Sequence, residues 1–369
     1  MKNVYNKVSF KDLQKKKERN AGIDLMRILG MYAIIIDHIL LHGKILRKYQ
    51  HYKELNLLLI LCFWHVNSFA LISGIVGYKT NKYSNIIYLW FYVLFYSISI
   101  YILFKIFYPK LTNNYNIIFF LFPVNFKVYW YFTEYFHMYL FIPIINKGIN
   151  NLNKNELKMV AIGLFAIYII LKEIINPKAN FLDKGYSLLW FLILYIAGGY
   201  FGKYIISNGK RTLIFYLINI TIFIVSTLLC YYMHFCREKK LKIIINLFKL
   251  QFNSLAMILQ VFSLMLISLH IKIHKILSKI ICFFGPLTFG VYLIHDNRFI
   301  RAYFIRKIFN NYSSNLKFSY IILLIIIKGF QILCICLLID FLRNIIFIIL
   351  KIKKLCIFFD KKISLYLNN

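Results

Sequence analysis

Asp24, Arg27, Asp37 and His38 lie within the run GIDLMRILGMYAIIIDH, residues 22–38, which is otherwise apolar enough to enter a bilayer. An ionised side chain at mid-bilayer costs about 2.5–3.5 kcal/mol on insertion scales, so one that is kept there needs a partner or a task. A helix turns 100° and rises 1.5 Å per residue. Arg27 and His38, eleven residues apart, therefore share a face and stand about 16 Å apart along the axis. Asp24 is one turn below Arg27 on nearly the same stripe, and Asp37 points roughly 80–100° away. A fixed guanidinium suits a phosphate-bearing donor, and an imidazole farther along the same face suits a general base for a hydroxyl. The spacing equally fits an i,i+3 ion pair at the membrane interface, with a snorkelling arginine and a bundle-facing histidine.

Further polar residues punctuate later apolar runs. Ser73 and Gly74 end one of them; they suit close helix packing, or a backbone that lets a ligand approach. His65 opens the same run. Trp130, Tyr131 and Tyr135 fit an aromatic belt at the interface and also fit stacking on a sugar ring. Glu134 is one turn from His137 on the same face, and Tyr292 is one turn from His295, with Asp296 next. No nucleotide-binding loop, zinc-spaced set or Ser-His-Asp order is present. The pair His270 and His274 sits among lysines and reads as a basic interfacial loop, so no metal is expected. The seven cysteines are scattered, without CxxC spacing, and suit packing better than a disulfide framework.

The elements that must position these residues are helices in a membrane. Of 369 residues, 60% are hydrophobic, and the mean hydropathy is +0.66. A soluble domain holds about 45–50% apolar residues, so the excess has to face lipid. Apolar segments of about 20 residues recur roughly at 22–43, 55–77, 84–108, 129–146, 157–175, 186–206, 212–233, 250–271, 280–297 and 318–350. They predict an all-α integral membrane protein, a bundle of about ten transmembrane helices. Gly285, Pro286 and Gly290 mark the ninth as one that can break. An even number of spans puts both termini on one side. Lys and Arg lean modestly towards that side, which predicts cytoplasmic termini. The basic segment 1–21 shows no cleavage signal, so the first helix is expected to stay. A single domain over 22–350 and a basic tail over 351–369 complete the organisation. The net charge of +33 lies in short clusters flanking the spans, which suits anionic headgroups and excludes a nucleic-acid partner as its explanation.

IDLMR followed by ten residues and a histidine resembles the R-x10-H motif of the membrane-bound acyltransferase-3 family. Three more stretches match that family in order: HVNSFALISGIVGY (65–78), YWYFTEYFHMYLFIPIIN (129–146) and PLTFGVYLIHD (286–296). With GYSLLWFLILYIAGGYFGKY (185–204), the resemblance runs from about residue 20 to 350. It implies a bacterial, multi-pass cell-membrane O-acetyltransferase, closest to those acting on capsule and exopolysaccharide. The donor would be acetyl-CoA or another acyl-CoA, and the acceptor a glycan or lipid-linked saccharide. His38 would be the catalytic histidine and Arg27 the charge on the CoA phosphates, with Asp24 or Asp37 orienting or tuning the imidazole. Ser73, Gly74, Trp130, Tyr131, Glu134, Tyr135, Tyr292 and His295 would line the substrate. Glu134 stands where the family is expected to carry a small residue, which makes the acceptor side unusual. Buried charges in a ten-helix bundle also fit a transporter or flippase for an activated acyl group or lipid-linked sugar. A transporter often shows two related halves, and none is visible here. A non-catalytic partner of a glycan synthase is the third reading.

Overall fold

The computed structural model describes residues 19–176, 179, 181–206 and 211–368, so all but the last three residues of the basic segment 1–21 lie outside it. Helices make up the regular structure, with no strand among the described residues. In chain order the main ones begin with α1 (Ala21–His42), α2 (Leu55–Gly77, with a turn at Phe63 and Trp64), α3 (Tyr83–Phe107) and α4 (Trp130–Asn151). Then follow α5 (Lys154–Phe165, continued through a π-helical turn to Ile175), α6 (Leu188–Ile205), α7 (Leu213–Phe235) and α8 (Leu255–His270). The last four are α9 (Lys275–His295), α10 (Arg298–Tyr303), α11 (Phe318–Ile349) and α12 (Ile352–Asn368). Six of them, α2, α3, α6, α7, α9 and α11, are long and apolar enough to cross a membrane. The chain has the build of a multi-pass membrane protein, in which helices satisfy their own backbone hydrogen bonds away from water.

α1 is packed on four sides, by α2, α8, α9 and α11. Its apolar residues run all round the helix, and thirteen of its twenty-two residues are buried. α7 shows the opposite environment. Leu213, Leu217, Ile220, Ile224 and Leu228 are exposed, as on a helix whose outer face meets lipid. α2 and α6 are closely packed. A Cβ built on Gly74 would fall 2.1 Å from the Tyr195 carbonyl oxygen, so the two backbones touch there. Gly74 is thus committed to helix packing.

α9 is interrupted by one 3₁₀ turn, Gly285–Leu287, at the glycine and proline that marked it in the sequence. The tail beyond residue 350 is helical: Lys351, with φ 53°, turns the chain into α12, which lies against α3. There Asp360 Oδ1 accepts the Tyr83 N–H at 3.1 Å.

Candidate functional site

The polar residues of α1 gather into two clusters, one at each end of the helix. At the start, the Asn20 side-chain oxygen accepts the N–H groups of Gly22 (2.9 Å) and Ile23 (3.3 Å). That cap fixes the first turn and places Asp24 in it, where the helix dipole favours an anion. Asp24 is 1% exposed and accepts from Arg27, as well as from Arg19 Nε at 2.9 Å and Nη2 at 2.7 Å. A Cβ on Gly285 would fall 2.6 Å from Asp24 Oδ1, so the broken turn of α9 closes over the carboxylate. Asp24 therefore holds Arg27. It cannot orient His38, which stands about 21 Å farther along the axis. Arg27 keeps 21% of its side chain open. The Tyr135 hydroxyl faces Ser73 and Arg27, so α2 and α4 complete this end.

At the other end His38 Nδ1 lies 3.1 Å from His295 Nε2 and 3.6 Å from Asp296 Oδ1. Arg301, on α10, donates to the same Asp296 oxygen at 2.9 Å, and its Nη1 is 3.5 Å from His42 Nε2. The His38 and His42 rings are 4.9 Å apart, one helical turn from each other. His295 Nδ1 lies 2.6 Å from the Val291 carbonyl oxygen. His38 and His42 thus gather around one carboxylate and one guanidinium, and His295 joins them through His38. Donor atoms of His38, His42 and Asp296 lie within 4.8 Å of one another, close enough to consider a metal. Arg301 argues against it: its fixed charge already sits on the carboxylate oxygen and beside His42, so a divalent ion would meet a like charge. The set is better suited to holding a proton.

Asp37 turns away from His38, as the helical angle requires, and its Oδ2 is 3.3 Å from His65 Nε2 on α2. It orients His65 and not the imidazole of His38. Glu134 is mostly buried and turns towards Lys127: its Oε1 is 3.8 Å from Lys127 Nζ, in the segment before α4.

An aromatic wall links the two ends. Tyr135 and Tyr131 have ring centroids 6.4 Å apart, and those of Tyr131 and Tyr292 are 6.2 Å apart. Tyr292 is one turn from His295. The hydroxyls of Tyr131 and Tyr292 are buried, and among the described residues they have no hydrogen-bond partner. Trp130 packs at the edge of the wall, against Tyr186 at 4.6 Å and Phe252 at 6.3 Å.

A family model described as an acyltransferase domain, acyltransferase-3, matches residues 20–340, from the cap of α1 to Asp340 in α11. The chain belongs to the acyltransferase-3 family. No curated protein and no solved structure matches it. With this family membership and six membrane-length apolar helices, it is a membrane acyltransferase.

Several residues of this acyltransferase were not singled out as site residues by sequence reasoning. Arg19, His42 and Arg301 complete the two clusters, and Asp296, noticed only as the end of a segment, is central to one. His42 follows His38 by four residues, a spacing that already places both on one face. Nothing local in the sequence joins Arg301 to residue 42, which is 259 positions away. A third polar group, also unforeseen, ties α11 to α3. Arg343 donates twice to Asp340, which also accepts from Tyr92 and Tyr96. Asp340 and Arg343 are both buried and every charge is partnered, so this group reads as a structural rivet.

Proposed function

We propose that this protein is an O-acyltransferase of the bacterial cell membrane. It moves an acetyl or other acyl group from acyl-CoA to a hydroxyl of a surface glycan, an exopolysaccharide or its lipid-linked precursor. The observation that carries the reading is the arrangement on α1. A partly open arginine and a histidine cluster stand on one face of a helix packed by four others, with the Tyr135–Tyr131–Tyr292 wall between them. In this reading Arg27, steadied by Asp24, meets the CoA phosphates. His38 takes the proton of the acceptor hydroxyl as its oxygen attacks the thioester carbon. The C–S bond breaks, and the proton passes to the CoA thiolate. The acceptor lies against Trp130, Tyr131 and Tyr292. The acyltransferase domain spans 22–350 with about ten membrane crossings and cytoplasmic termini, and neither a metal nor nucleic acid takes part.

The test is His38→Ala in cells. Loss of O-acetyl signals from surface glycan at unchanged protein level is expected. Acetylation that persists in this variant sinks the reading. Vesicles holding only the purified protein separate it from a transporter, because an acyltransferase consumes acetyl-CoA only when an acceptor is supplied.

A further inference from the structure

His295 was expected among the residues that touch substrate, but its hydrogen bonds give it another task. Its Nδ1 lies 2.6 Å from the Val291 carbonyl oxygen. A carbonyl oxygen only accepts, so this contact needs a proton on Nδ1. In the neutral ring, Nε2 of His295 then carries a lone pair and can only accept. That atom is 3.1 Å from His38 Nδ1. His38 Nδ1 must therefore hold a proton and donate it, which leaves Nε2 of His38 unprotonated. Tautomers are assigned from the hydrogen-bond network around a ring, and here a backbone carbonyl anchors the whole chain of assignments.

We infer that His295 is a positioning residue: it locks His38 in the tautomer whose Nε2 is the basic atom. The inference rests on the acyl-transfer reading for its consequence, although the tautomer itself does not. The backbone of α9 fixes His295, His295 fixes His38, and the free Nε2 accepts the hydroxyl proton as the oxygen–carbonyl bond forms and the C–S bond breaks. Asp296, 3.6 Å from His38 Nδ1 and held by Arg301, lies on the side of the ring opposite the reacting atom. It steadies the imidazolium that forms until the proton leaves for the thiolate. His38 keeps 12% of its side chain open, so the ring is not sealed by its partners. A histidine oriented by a third group is the arrangement a general base needs; here an imidazole anchored to a carbonyl fills the place often held by a carboxylate.

The test uses purified full-length protein in detergent with ¹⁵N-labelled histidine. His38 signals are identified by their loss in His38→Asn. In the unmodified protein at neutral pH, His38 is expected to show a protonated Nδ1 and a bare Nε2. His295→Leu removes the acceptor and should let His38 populate both tautomers, with kcat down about a hundredfold or more and the KM for acetyl-CoA unchanged. His295→Gln offers a side-chain oxygen near the lost Nε2. It should restore the His38 tautomer and at least a tenth of the rate. Finding His38 protonated at Nε2 in the unmodified protein overturns the inference. So does an unchanged His38 spectrum in His295→Leu. Neither reading needs turnover: if no acyl transfer is found at all, the proposed function fails while the spectra still decide the tautomer.

Discussion

Arg27 is bound to Asp24 yet keeps about a fifth of its side chain open, 21%, which leaves room for a second anion beside it. Hydrogen bonds to charged groups contribute about 1.5–3 kcal/mol. Arg27→Gln should therefore raise the KM for acyl-CoA by about tenfold to a hundredfold, with a smaller effect on kcat, in steady-state assays of the purified enzyme. Arg27→Lys should recover part of the loss, since a point charge still attracts phosphate but lacks the bidentate fork. The Tyr292 hydroxyl supplies a second test. It is buried without a partner among the described residues, so Tyr292→Phe should leave thermal stability within about 0.5 kcal/mol of the original. If the hydroxyl meets the acyl group or the acceptor, the same variant loses about tenfold in rate; an unchanged rate removes Tyr292 from the site. Asp24 with Arg27 was readable from i,i+3 spacing, and His38 from its face. Arg19 and Arg301 were not, because each is recognised only by the carboxylate it reaches.

Helices came through the sequence well because their signal is local. The apolar run read at 22–43 is Ala21–His42, that at 84–108 is Tyr83–Phe107, and that at 318–350 is Phe318–Ile349. The break in α9 was announced by Gly285 and Pro286. Partners were harder to read. Membrane helices are apolar on every side, so hydropathy does not say which face meets protein and which meets lipid. Gly74 shows the difference: a small residue near the end of α2 suited a ligand or a neighbouring helix, and the contact with Tyr195 chose the helix. Gly74→Ala must push α2 from α6 by the depth of a methyl group, because the atom it meets is a backbone carbonyl. Overpacking of this kind costs about 1–3 kcal/mol, so a lower Tm is expected in fluorescence-detected melting of the detergent-solubilised protein. Asp340→Ala should cost more, about 3–5 kcal/mol, since it leaves the buried Arg343 guanidinium without a counter-charge, held only by the Tyr88 hydroxyl, and two tyrosine hydroxyls without their acceptor. The same melt checks it.

Across the whole molecule, sidedness decides how donor and acceptor reach the site. The Arg27 end of α1 follows the N-terminal segment, and the His38 end leads into the residues after His42. If the termini are cytoplasmic, as proposed, the Arg27 end of α1 faces the cytosol and the histidine cluster lies nearer the outer surface. A cysteine placed at exposed Asn310, in the segment between α10 and α11, should then react with an impermeant maleimide on intact cells. One at exposed Lys362, in α12, should react only after permeabilisation. The reverse pattern turns the protein over and places the histidine cluster on the cytoplasmic side. The sequence by itself determined that this is a helical membrane protein, where its main helices lie, and that Arg27 and His38 share a face. Composition and helical periodicity are properties of contiguous residues, and they survive without knowledge of any neighbour. Only the tertiary structure decided which acid serves which base. Beyond the Asp24–Arg27 pair that spacing announced, Asp24 also took Arg19, Asp37 went to His65, and His38 to His295 and Asp296, more than 250 positions away. A buried charge takes the partner that packing brings within about 3 Å, and that choice is set by how helices pack, which spacing along the chain does not encode.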